Sequence, residues 1–140
     1  NGIENIAYLT VNYNSDFIAH FNCSWTSPVK IRMILIGGKQ KMIVFNDMDP
    51  AEKIKVYDSG YSVSTDEEKQ KVMVAYRVGD IYVPKIDTKE ALLGLAEDFV
   101  NSICTGKEPI SNAQIGLETV KILEAAQQSI KNGGKIIKIF

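Results

Sequence analysis

The sequence has one histidine, His20, and two cysteines, Cys23 and Cys104. The cysteines stand far apart and form no CxxC, so a zinc or dithiol redox site lacks its spacing. They are expected as buried free thiols in a reducing, cytoplasmic compartment. No apolar run approaches the length of a membrane-spanning helix. The net charge is −1, which removes any bulk electrostatic case for nucleic acid or an anionic membrane as partner. No GxGxxG occurs, so the dinucleotide-binding fingerprint is missing. With one histidine, no Ser-His-Asp set can be ordered from the sequence. His20 has Ile18 and Asn22 as same-face neighbours and reads as a polar-face residue, solvated or at an interface. Neither a repeat period nor a low-complexity segment is present.

What is there fits one globular domain: 140 residues, 45% hydrophobic and 24% charged. The chain opens on Asn rather than Met, and residue 6 already lies in a strand pattern. It is therefore expected to be a segment of a longer protein, with no signal peptide of its own.

Residues 6–13 alternate, with Ala7, Leu9, Val11 and Tyr13 on one side. Residues 17–25 alternate as well, with Phe17, Ala19, Phe21, Cys23 and Trp25 on one face. Period two means a half-buried strand, and Asn14-Ser15-Asp16 between the runs predicts an antiparallel hairpin. Burial of Phe17, Phe21 and Trp25, worth about 1.5–3 kcal/mol each, would fix its register. Asn22-Cys23-Ser24 has the form of a glycosylation acceptor, but its place inside a strand discounts it.

Further strands are predicted at 29–36, 42–45, 53–57 and 72–78, with a short extended piece at 81–86 interrupted by Pro84. Turns are predicted at 47–50 and 58–60, and an exposed charged loop at 65–71. Gly37-Gly38-Lys39 lies between two strands. A phosphate-cradling loop would end in Lys-Ser or Lys-Thr at the mouth of a helix, whereas Lys39 is followed by Gln40, Lys41 and another strand. The glycines are therefore expected to supply positive φ for a hairpin turn.

The period then changes. Asp87-Thr88-Lys89-Glu90 has the form of a capping box, and Leu92, Leu95, Ala96, Phe99 and Ile103 follow at helical spacing up to Gly106. Ser111-Asn112-Ala113-Gln114 is a second box, opening a longer helix with Ala113, Leu117, Val120, Leu123 and Ile130 on its apolar stripe. Asn132-Gly133-Gly134 stops it, and 135–140 is expected as a last strand. Many strands followed by two helices predict an α+β fold: an open, largely antiparallel mixed sheet with two helices packed on one face. The other face is expected to pair with a second copy, as a dimer or tetramer.

Glu67-Glu68 and Glu97-Asp98 are adjacent carboxylates; Glu97 and Asp98 do not share a helix face, so they are not expected as an acid–base pair and read as solvated helix surface. Lys30 and Arg32 alternate on one strand beside Trp25, a basic pair able to hold a carboxylate or phosphate. Arg77, Asp80 and Tyr82 combine a cation, a carboxylate and an aromatic where strand gives way to helix, as polar ligand sites often do. These five are the candidate substrate-binding residues. No catalytic, cofactor-binding or metal-binding residue is assigned.

The segments "SWTSPVKIRMILIGGKQKMIVFND", "KIKVYD" and "YRVGDIYVPKIDTKEALLGLAEDFVNSICTGKEPISNAQIGLETVKILEAAQQSIKNGGK" occur in an order that resembles the C-terminal domain of the glucose-fructose oxidoreductase / inositol dehydrogenase / MocA family. The likeness is greatest to members acting on nucleotide-linked sugars. It covers nearly the whole chain, and "TGKEPIS…GLETVKILEAAQQS" is its most specific part. The resemblance implies a single substrate-binding and oligomerisation domain over 1–140, whose parent adds an N-terminal Rossmann domain holding NAD or NADP. It implies hydride transfer to or from a sugar by the parent, and no cofactor in this chain. The family's catalytic lysine lies in a Glu-Lys-Pro motif, and its aspartate and histidine lie on a helix preceding the sheet. None of them maps onto a position here, and His20 is not that histidine. Trp25, Pro28, Lys30 and Arg32 match the family's strand motif, and Gly79-Asp80-Ile81 with Pro84 its pre-helix segment. Lys41 stands where members usually carry Gly, Leu95 and Ala96 where Glu and Cys are frequent, and Asp98 where His is frequent. A different class of function, a stand-alone α+β interaction module that dimerises through its sheet, fits the composition equally.

Overall fold

The computed structural model describes residues 4–13, 17–62, 75–87 and 89–139. The elements in chain order are β1 (Ile6–Asn12), β2 (Ile18–Ser24), β3 (Met33–Gly37), β4 (Met42–Asn46), β5 (Ile54–Ser62), β6 (Ala75–Tyr82), α1 (Ala91–Thr105) and α2 (Ala113–Lys131). The class is α+β with open sheets, as the pattern predicts. Among the described residues every strand pair is antiparallel. The strands form two sheets rather than one layer: a hairpin β1-β2 and a four-stranded sheet in the order β3-β4-β5-β6. Pro28, which lacks an N–H, lies in the connection between β2 and β3. Residues 29–32, expected at the start of β3, are not in the ladder.

The chain divides into two compact units. One holds 1–27 and 89–140, the other 28–88.

In the first unit, the hairpin has the register that alternation predicts. Ala7 faces Cys23, Leu9 faces Phe21 and Val11 faces Ala19. On the opposite side Tyr8 faces Asn22 and Thr10 faces His20, where Thr10 Oγ1 lies 3.0 Å from His20 Nδ1. Tyr13 and Phe17 flank the connection between the strands with tilted rings 5.1 Å apart. The expected burial of the large aromatics is not made: Trp25 is 87% exposed, and Phe17 and Phe21 are also exposed. Both cysteines, expected buried, are exposed free thiols.

The helices begin later than the boxes suggest, α1 by three residues and α2 by one. Glu90, not Asp87, caps α1, its carboxylate accepting from the Leu92 and Leu93 N–H groups. Asn112, not Ser111, caps α2. Gly106 ends α1 in the left-handed conformation at φ 68, where its N–H donates to Ser102 O. Within this unit the expected seat of the helices on a sheet face is not made. Their stripes are exposed, with Leu92 at 70% and Ile103 at 69%. Residues 135–139, expected as a last strand, form none. Among the described residues no helix is long and apolar enough to cross a membrane.

In the second unit, β3 and β4 form the predicted hairpin, and the Gly38 N–H donates to Lys41 O at 3.0 Å. Neither Gly37 nor Gly38 takes positive φ, contrary to expectation. The predicted turn at 47–50 is built by an Asx arrangement: Asp49 Oδ1 accepts from the Ala51 and Glu52 N–H groups at 3.0 and 2.9 Å. Those two hydrogen bonds hold the Asp49 carboxyl below its ordinary pKa. The turn expected at 58–60 is instead part of β5, which runs through it to Ser62. The sixth strand also runs further than predicted, absorbing the start of the 81–86 piece. Residues 43–47 and 53–60, in and around the central strands β4 and β5, are the most covered stretch. The expected turn at 14–16, the loop at 65–71 with Glu67-Glu68, and residues 72–74 of the sixth strand lie outside the described residues.

Candidate functional site

The candidate residues all belong to the second unit, but they fall at its two opposite edges. Lys30 and Arg32 precede β3, at one edge of the sheet, and both are exposed. Arg77, Asp80 and Tyr82 lie on β6, at the other edge. Three strand spacings, about 14 Å, separate the edges. Arg32 also lies next to the Met33 end of β3, whereas Tyr82 is in line with Val56, Ile43 and Ile36 at the far end. The structure therefore strings Arg77, Asp80 and Tyr82 along one edge strand, positions 77 and 82 lying opposite β5 residues four apart, about 13 Å, and leaves Lys30 and Arg32 at the other edge.

Arg32 belongs to an ion-pair cluster. Its Nη1 lies 3.4 Å from Asp47 Oδ2, and its carbonyl accepts the Asp47 N–H at 3.0 Å. Lys53 Nζ donates to Asp47 Oδ1 at 3.1 Å. The Lys53 hydrogen bond and charge, followed by the Arg32 hydrogen bond, hold the Asp47 carboxyl below its ordinary 3.8. A guanidinium already facing a carboxylate is less available to a ligand anion than the sequence reading supposes. Because the folded-state pKa is depressed, this carboxylate stabilises the fold at pH values above 3.8, and that contribution is lost as pH falls through the lower folded value. Asp47→Asn is expected to flatten the acid limb of a stability-against-pH curve below that point and leave the neutral region's slope unchanged. An unaltered acid limb would show that the pair does not couple to folding.

The β6 edge is shaped by a bulge. Tyr57 pairs with Ile81 and Ser59 with Val78, so β6 carries one more residue than β5 over this interval. The extra residue resets the alternation: Arg77 lies opposite Gly60 and Tyr82 opposite Val56, positions of like parity on β5. In a regular strand 77 and 82 would fall on opposite faces; the bulge returns both positions to one. Two glycines permit the close approach. A Cβ at Gly79 would lie 2.7 Å from Asp58 O, and one at Gly60 would lie 2.5 Å from Lys39 O. The Gly38–Lys41 turn thus leans on β5 where β6 pairs with it. Asp80 and Tyr82 are exposed, Tyr82 at 66%. A carboxylate and a phenol at an open sheet edge can donate to and accept from hydroxyl-rich ligands.

Sequence reasoning missed Asp58 and the turn around Lys39 and Gln40 as neighbours of this edge. The available signal was a glycine inside each strand run, Gly60 and Gly79, which marks a bulge or a backbone approach.

The first unit holds a mainly apolar hollow of about 290 Å³ walled by Leu92, Leu95, Ala96, Phe99 and Pro109, with Asp98 and Ser111 as its polar members. Asp98 Oδ2 accepts the Ile110 N–H at 2.8 Å and so fixes the loop between the helices. Lys89 pairs with Glu97 beside it.

No family model, curated protein or solved structure matches this chain.

Proposed function

We propose that this chain is the substrate-binding and oligomerisation domain of an NAD(P)-dependent sugar dehydrogenase of the glucose-fructose oxidoreductase / inositol dehydrogenase / MocA type, with a nucleotide-linked sugar as substrate class. NAD or NADP is held by the parent's Rossmann domain, and this domain alone is catalytically silent. The observation that carries the reading is the ordered run "TGKEPIS…GLETVKILEAAQQS". Two features support it: Gly106 of that run ends α1, and Asn112 within it caps α2. Asp80 and Tyr82, exposed on the edge strand β6, supply polar groups of the kind a sugar hydroxyl meets. The parent is assigned to the cytoplasm.

Fluorescence titration of this chain with NADH is expected to show no saturable binding, and micromolar affinity would overturn the assignment. The coding sequence upstream is expected to add roughly another 180 residues with a GxGxxG.

The stand-alone interaction module keeps one observation in its favour: large apolar side chains are exposed on the helices and at the edges of both sheets. Both readings place self-association at the open sheet face, and light scattering is expected to give a mass above the monomer's. A native gene product no heavier than this chain would select the module.

A further inference from the structure

We infer that Asn132 is a site of spontaneous amide-to-acid conversion, gated by the closing turn of α2. Asn132 is exposed and followed by Gly133, whereas every other described asparagine precedes a residue with a Cβ. The step needs only base and water. The Gly133 amide nitrogen loses its proton and attacks Asn132 Cγ. A C–N bond closes a five-membered imide, and the side-chain nitrogen, taking up a proton, leaves as ammonia. Water then adds to either imide carbonyl and breaks one C–N bond, giving aspartate or the isoaspartyl linkage.

Glycine permits the attack because no side chain crowds its nitrogen. It stands here for a separate reason: Gly133 has φ 69 and Gly134 φ 84, left-handed conformations that L side chains resist. The requirement that ends the helix therefore creates the reactive pair.

The same cap holds the nucleophile closed. The Gly133 N–H donates to Ile130 O at 3.1 Å and the Gly134 N–H to Ser129 O at 2.8 Å. The Asn132 N–H is shared between Gln128 O and Ser129 O, both at 3.1 Å. Ser129 Oγ donates to Lys135 O at 2.7 Å and ties the chain beyond the glycines back to the helix. A nitrogen engaged as a donor is not free to lose its proton, so ring closure proceeds from the opened turn. The product places a new carboxylate at the negative pole of a 19-residue helix, where it weakens the cap that had protected it. The chain's other Asn-Gly pair, Asn1-Gly2, lies outside the described residues.

The test is incubation of the full chain in mildly alkaline buffer with peptide mapping by mass spectrometry, against an unfolded peptide of residues 128–136. Asn132 is expected to convert ahead of the other described asparagines, roughly tenfold more slowly than in the peptide because the turn is mostly closed. Ser129→Ala, which removes the tie to Lys135, is expected to convert several-fold faster than the parent chain. Conversion at the peptide's rate would overturn the inference. So would no conversion in the time the peptide takes to finish, or an unchanged rate in Ser129→Ala.

Discussion

Gly60→Ala is expected to destabilise the four-stranded sheet by about 1–3 kcal/mol, the usual cost of forcing a methyl into occupied space. The added Cβ would meet Lys39 O at 2.5 Å, with Gln40 Cα and Gln40 O each at 3.1 Å. All three are backbone atoms, so no side-chain rotation relieves the clash. The β3–β4 turn has to lift away from β5, or β5 has to bend. Gly60 does not have positive φ, so the cost is purely one of space. Gly79→Ala is the companion case, its Cβ falling 2.7 Å from Asp58 O and 2.8 Å from Asp58 Oδ2. Part of that second contact can relax, because one of the two atoms belongs to a side chain. Gly37→Ala is the control: its Cβ meets nothing within 4 Å, and the change is expected to be neutral or slightly stabilising. Urea unfolding followed by far-ultraviolet circular dichroism separates the three. Equal midpoints for Gly60→Ala and Gly37→Ala would show that the turn does not rest on β5. Loss of the β6 edge's geometry would accompany the destabilisation, because Arg77 pairs with Gly60.

These glycines also mark the limit of what the sequence reveals. Alternation of large apolar residues located β1 and β2 and matched their register, Leu9 facing Phe21 and Tyr8 facing Asn22, although the burial expected to fix it is not made. Helical spacing located α1 and α2, and Gly106 and Asn132-Gly133 marked their ends by local chemistry alone. Where a feature depends on contact between segments, the pattern was silent or misleading. Asp58-Ser59-Gly60 has turn composition, yet pairing with β4 and β6 keeps the chain extended through it. The bulge that puts positions 77 and 82 at like parity is a property of two strands together, visible in neither alone. The attachment of Arg32 to Asp47 joins residues 15 apart in sequence and leaves no trace in composition. The candidate site was thus legible as a set of residue types, and its division between two edges was not. Sheet number was missed similarly: period two identifies strands but not which ladder they join.

Asn112→Ala is expected to cost about 1 kcal/mol, within the range of roughly 0.5–2 kcal/mol for loss of an N-cap. Asn112 lies in an extended conformation, φ −85 and ψ 173, from which its Oδ1 accepts the Ile115 N–H at 2.9 Å. That N–H is one of the four at a helix start with no partner inside the helix. Its Nδ2 donates to Glu108 Oε1 at 2.9 Å, so the cap also ties down the loop after α1. The sequence alone suggests a box in which Ser111 caps and Gln114 returns the bond. In the structure Gln114 Nε2 instead donates to Glu118 Oε1 at 2.8 Å, one turn along the helix. The two arrangements predict opposite mutant orders. With Asn112 as the cap, Ser111→Ala is nearly neutral and Asn112→Ala is costly. Asn112→Asp falls between them, keeping an acceptor for Ile115 but losing the donor to Glu108 and setting two carboxylates side by side. Amide hydrogen exchange at Ile115 reads the effect at its source, since that proton loses its partner in Asn112→Ala and keeps it in Ser111→Ala. Faster exchange in Ser111→Ala than in Asn112→Ala would return the cap to Ser111 and move the start of α2 back by one residue.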